Sequence, residues 1–230
     1  MIPLQDDIPT SRAPVVTVAL ASANLAAFLW QVAVVGLPLS VRIGGAIPYE
    51  ILTLRDVVPR DLVPPPFTLL TSMFLHGGFM HIAGNMLFLW IFGNNVEDAL
   101  GRAKFLAFYL ACGVAAALSQ VAASAIAADE HALLVPMVGA SGAIAGVLAA
   151  YMVLFPHARI LTFIPLFLGL VRVPAGLYLG LWFLVQLVNA VFGSAGAGVA
   201  FMAHVGGFVT GWVLVKTVGP RVERRRRVAW

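Results

Sequence analysis

The sequence predicts an all-α polytopic membrane protein, a six-transmembrane-helix bundle with a short central fourth helix. Three observations predict it. The 230-residue chain is 61% hydrophobic and only 10% charged, whereas a soluble domain carries about 25% charge. No Asp, Glu, Lys or Arg occurs in 13–41, 62–96, 105–128, 132–158 or 173–215, and a helix crossing a hydrocarbon core needs about 20 apolar residues. With six spans, eleven Lys and Arg residues fall on the side of the termini, against three (Arg42, Arg55 and Arg60) on the other. That asymmetry is the positive-inside pattern and places both termini in the cytoplasm.

The spans are read at 14–36, 67–96, 104–126, 140–156, 173–192 and 199–217, with the turn GSAGAG (193–198) parting the last two. A cytoplasmic N-terminal segment (1–13) precedes the membrane domain (14–217), and a basic cytoplasmic tail (218–230) follows it. The run RRRR (224–227) is a topology anchor that can also touch anionic lipid. The net charge of +4 follows from this topology and is no sign of nucleic-acid binding. MIPLQDD lacks the basic start of a cleavable signal. Cys112, the single cysteine, excludes an intrachain disulfide and a cysteine-based metal cluster.

The outer loop 37–66 is long for a connector, so it is structured or functional. The inner connection 157–172 has an apolar middle too short to span, and is expected against the bundle or at the interface. Pro156 ends the fourth span. A helix from Ser141 to Phe155 is then about 22 Å long, shorter than the bilayer core. Its outer end must lie below the membrane surface, and the apolar LLVPMVGA (133–140) dips in to meet it. Non-helical backbone at that depth needs protein or a watery cavity around it. Ser141 therefore sits at a helix N-terminus, within the membrane, beside water.

Polar groups inside spans are functional candidates by default. The second span holds His76, His81 and Asn85, the fourth Ser141 and the sixth His204. His81 and Asn85, four apart, share a helix face and aim two donors at one point. Asn24, Gln31, Gln120, Gln186 and Asn189 show no pattern and read as interhelical hydrogen-bonding residues. Gly139 and Gly142 flank Ser141, and Gly142 with Gly146 continues a small face along the fourth helix. Ala203, Gly207 and Gly211 make a matching face beside His204. Packing these faces would bring Ser141 against His204. A Ser–His pair with free N–H groups at a helix start can perform acyl transfer. No carboxylate lies in any span nearby, so the pair would be a dyad.

These residues resemble the rhomboid family of intramembrane serine proteases. HGGFMHIAGN (76–85) is similar to its His-x4-His-x3-Asn pattern, GASG (139–142) to its Gly-x-Ser-Gly motif, and AHVGGFVTG (203–211) to its Ala-His-x2-Gly-x3-Gly motif. GNNVEDALG (93–101) and PLQDDIPT (3–10) add to the likeness. The resemblance implies a rhomboid-like bundle in which Ser141 attacks the scissile bond and His204 acts as base and then acid. Ser141, His81 and Asn85 would form the oxyanion hole, with His76, Gly139, Gly142 and Gly207 in support. Single-span transmembrane proteins would be the substrates, cut near small residues close to the outer face, in the lipid bilayer of a bacterial cell (inner) membrane. No cofactor, metal or nucleic acid is implied. The chain departs from some members: the loop 37–66 has no Trp, and Ala145 stands where a Tyr would stack on the base. Glu97 reads as structural, at the inner end of the second helix, and Trp182 and Phe183 as lipid-facing or packing residues. Three other readings stay open: a rhomboid-like pseudoenzyme that binds membrane clients, a bis-His haem membrane protein using His81 and His204, and a transporter or channel.

Overall fold

The computed structural model describes residues 1–57, 63–127, 130–193 and 199–219. The RRRR run and nearly all of GSAGAG lie outside them. Strand β1 (Ile2–Asp6) opens the chain, followed by helix α1 (Val15–Trp30), which widens into a π turn over Gln31–Val35. The outer loop folds into two short helices, α2 (Leu37–Gly44) and α3 (Pro48–Thr53). Then come α4 (Pro65–Thr71), α5 (Phe79–Leu100), α6 (Arg102–Ala127), α7 (Glu130–Leu134) and α8 (Ser141–Leu154). Strands β2 (Arg159–Ile164) and β3 (Gly169–Pro174) lead to α9 (Ala175–Phe192) and α10 (Phe201–Val218). Four helices, including the π extension of α1, are long and apolar enough to cross a membrane: Val15–Val35, α6, α9 and α10. The bent pair Pro65–Phe74 and Phe79–Leu100 can make a fifth span, and α8 is a shorter apolar helix. This arrangement is consistent with six spans.

α8 is the central helix. Every residue from Gly142 to Tyr151 is buried, and α5, α6, α9 and α10 pack around it. A helix that is apolar all round belongs in a protein core or a membrane span, and α8 lies in the core. At 14 residues it is about 21 Å long, so the short fourth helix predicted from Pro156 is present.

Two features differ from the sequence reading. The second span is not one helix over 67–96: it breaks between Phe74 and Phe79, and its two parts meet at 79°. Gly77 and Gly78 sit in the break, where weak helix propensity permits it. Gln31 fastens it, because its Oε1 accepts the His76 N–H at 2.9 Å and its Nε2 donates to the His76 carbonyl at 3.2 Å. A side-chain amide thus satisfies backbone groups that a helix would have paired.

The second difference is a small antiparallel sheet, ordered β1-β2-β3, at the C-terminal end of α8. The inner connection is a hairpin, with Arg159 opposite Pro174 and Ile164 opposite Gly169. β1 pairs with it, Ile2 opposite Phe163 and Asp6 opposite Ile160. Asp6 fixes this sheet to the bundle, accepting hydrogen bonds from Asn95 Nδ2 at 2.6 Å and from the Tyr151 hydroxyl. Burial, with Asp7 adding to it, raises the Asp6 carboxyl from 3.8 to about 6, against the opposing bond from Tyr151. A carboxyl raised on folding stabilises most when protonated, so its contribution is complete below pH 3.8 and is lost as pH rises through about 6. We predict that the β1 amides, corrected for intrinsic exchange, are better protected from hydrogen exchange at pH 5 than at pH 7.5, and that Asp6→Asn removes the difference. An unchanged pH dependence in Asp6→Asn would show that another group is responsible.

Candidate active site

The approach to α8 is built from three segments. Ala46 and Met137 exchange two backbone hydrogen bonds of 2.9 Å, tying the first outer loop to the chain that descends toward Ser141. The Gly139 N–H donates to the Ser72 carbonyl at 2.8 Å, anchoring that chain to the end of the α4 segment. Gly139 has φ +121°, and a Cβ there would lie 2.7 Å from His81 Nε2. Only glycine meets both conditions. The result is a backbone that turns sharply into α8 while passing against the face of α5 that carries His81 and Asn85.

Ser141 is the first residue of α8 and is half-buried. His204 lies in the first turn of α10, also half-buried, with Nε2 2.7 Å from Ser141 Oγ. Gly207 explains the proximity. A Cβ at Gly207 would collide with the Gly142 carbonyl oxygen, and a Cβ at Gly142 would lie 2.5 Å from that of Ala116. The backbones of α8 and α10 therefore touch directly, as their small-residue faces predict. His204 Nδ1 lies 2.8 Å from Gln186 Oε1 of α9. The Trp182 ring lies 5.8 Å from the imidazole at an interplanar angle of 35°, and the Phe201 ring meets it edge-on at 6.3 Å. These groups from α9 and α10 surround His204 where Ala145 leaves no aromatic.

His81 and Asn85 lie on α5 beside Gly139. The Gly77 N–H donates weakly to His81 Nδ1 at 3.4 Å, which leaves the His81 Nε2–H directed toward Gly139. Asn85 Nδ2 is buried without a hydrogen-bond partner among the described residues. A buried amide N–H without an acceptor is costly, and it is suited to a negative oxygen that appears only during a reaction. The Ser141 N–H adds a third donor, because the first N–H groups of a helix have no intrahelical partner. A cavity of about 40 Å³ adjoins Ser141, lined by small or apolar residues including Met73, Ala116, Gly142 and Ala203.

Not every predicted residue stands where the sequence put it. His76 lies in the break before α5, fully buried, with its ring 5.1 Å from that of His81. Its place is beside the site. Glu97 does not serve the end of its own helix: its carboxylate accepts the Val16 and Thr17 N–H groups at 2.9 and 2.7 Å, and the Thr17 hydroxyl at 2.8 Å. It thus caps the start of α1, which carries no cap of its own. Trp182 packs on His204, while Phe183 stacks on Phe208 at 4.3 Å. Gln186 and Gln31 read as patternless polar residues in sequence, since nothing in the chain order shows which helix each will face.

Comparison with known proteins gives a consistent family. The family model described as the Rhomboid domain matches residues 65–221. The chain is 31% identical over 182 residues to "Rhomboid protein 1, mitochondrial" of Saccharomyces cerevisiae, covering 75% of this chain and 49% of that one. It is 36% identical over 100 residues to "Presenilin-associated rhomboid-like protein, mitochondrial" of Homo sapiens, covering 43% and 25%. It is 30% identical over 151 residues to "Rhomboid protease GluP" of Bacillus subtilis, covering 66% and 26%. The chain thus spans half or less of the length of each of these relatives. Two of the three are mitochondrial by name, which overturns the expectation of a bacterial cell membrane and of termini in a bacterial cytoplasm.

Proposed function

The chain belongs to the rhomboid family, and on that premise we propose that it is a serine endopeptidase that cuts transmembrane protein substrates within the bilayer. The observation that carries the proposal is the 2.7 Å contact between Ser141 Oγ and His204 Nε2. In the proposed mechanism His204 Nε2 takes the hydroxyl proton as Ser141 Oγ attacks the scissile carbonyl carbon. The carbonyl oxygen becomes an anion facing the N–H groups of Ser141, His81 and Asn85. The intermediate collapses to an acyl-enzyme as His204 gives the proton to the leaving amine. Water, deprotonated by His204, then releases the acid and restores Ser141. The cavity beside Ser141 suits a small side chain next to the cut, in keeping with single-span substrates cleaved at small residues.

A haem role for His204 has less support, because Ser141 and Gln186 already engage both of its ring nitrogens. A fluorophosphonate probe tests the proposed nucleophile. We expect mass spectrometry of the labelled protein to place the adduct on Ser141. An adduct on another residue, or none on folded protein, would count against the reading and favour a family member that binds clients without cutting them.

A further inference from the structure

We propose that Gln186 of α9 positions His204 by fixing its tautomer, an inference that rests on the proposed dyad. Three contacts form a directional chain. Gln186 Nε2 donates to the Trp182 carbonyl at 3.4 Å, one turn back along α9. That weak bond turns the nitrogen of the amide toward Trp182, and the oxygen faces His204 at 2.8 Å. An amide oxygen only accepts, so the proton of the imidazole must sit on Nδ1. Nε2 is then a bare lone pair, 2.7 Å from the Ser141 hydroxyl. In this tautomer Ser141 donates to His204, which is the state a general base requires. The opposite tautomer would place an N–H against Ser141 Oγ and leave Nδ1 facing an oxygen with no proton between them.

Gln186 is buried, and no carboxylate in the spans takes its place beside His204. A neutral acceptor can do this work without adding a charge inside the membrane, where an unpaired carboxylate is costly. The Trp182 and Phe201 rings limit how far the imidazole can turn, but ring packing cannot choose between tautomers. Among the described residues only the Gln186 oxygen distinguishes them.

Two measurements on the full chain test this. In the first, kinetics with a cleavable transmembrane substrate compare wild type, Gln186→Leu and Gln186→Glu. Leucine keeps the volume and removes the acceptor, and we expect it to lower kcat about tenfold with KM nearly unchanged. Glutamate keeps an oxygen in the same place, ionised or not, and we expect kcat within about threefold of wild type. Wild-type kcat in folded Gln186→Leu, or failure of folded Gln186→Glu to recover, would overturn the proposal. In the second, nitrogen NMR of histidine-labelled protein reads the tautomer without needing turnover, with His204→Ala identifying the signal. Wild type should show Nδ1 protonated and Nε2 bare, and Gln186→Leu a mixture. A wild-type ring protonated on Nε2, or an unchanged ring in Gln186→Leu, would refute the role of Gln186. A wild type that never cleaves, yet shows the expected tautomer shift, would sink the protease reading and leave the positioning contact standing.

Discussion

Replacing His204 with alanine is expected to lower proteolytic turnover by about 10⁴-fold or more, while leaving the bundle folded. In the proposed mechanism the imidazole receives the proton of Ser141, whose Oγ lies 2.7 Å from Nε2, and nothing else among the described residues is hydrogen-bonded to that hydroxyl. Without it the hydroxyl must attack with its proton in place. The substitution is mild structurally: His204 is half-buried, and among the described residues its side chain hydrogen-bonds only to Ser141 and Gln186, with the Trp182 and Phe201 rings beside it. The comparison with Gln186→Leu is informative, because removing the base should be about a thousandfold more damaging than removing the group that orients it. Substrate cleavage rates for the two variants, with circular dichroism as a check on folding, measure both. A His204→Ala protein that keeps even a tenth of wild-type turnover would contradict the dyad.

Replacing Gly207 with valine is the second large effect. Here the cause is geometric. The α8 and α10 backbones touch where Gly207 meets the Gly142 carbonyl, and any Cβ would overlap that oxygen. A helix backbone cannot give as a flexible side chain could, so the two helices must part. Overpacking of this kind destabilises by about 1–3 kcal/mol, sometimes more, and a displacement of about 1 Å at a reacting pair can reduce rate about a hundredfold. We therefore predict that Gly207→Val loses at least a hundredfold in turnover and unfolds at lower temperature. Gly84→Ala in α5, where an added Cβ meets nothing within 4 Å, should retain both properties. If Gly207→Val matched Gly84→Ala in thermal unfolding and turnover, backbone contact would not be what brings Ser141 to His204.

Much of this was readable in the chain. Charge-free stretches mark the spans because lipid excludes charge. Pro156 marks the end of a helix too short to cross. The glycines along 142–146 and 207–211 mark a close helix contact, and from that the Ser141–His204 pair follows. What escaped the sequence depends on how helices are rotated about one another. Gln186, Gln31 and Glu97 find partners 18, 45 and about 80 residues away, and no local pattern records those distances. The break before α5 was hidden because no charged residue interrupts 62–96, although Gly77 and Gly78 marked the place. The sheet was hidden for a related reason: β1 is five residues long and its partner strand begins at Arg159. A short strand is specified by the partner it meets, more than by its own composition.

The most direct measurement is cleavage of a tagged single-span substrate by purified protein in liposomes, with a metal chelator present. Wild type is expected to cut within or near the transmembrane segment, unaffected by the chelator, and Ser141→Ala to cut at no measurable rate. Equal cleavage by Ser141→Ala, or loss of wild-type cleavage on chelation, would contradict the account of a metal-independent serine protease.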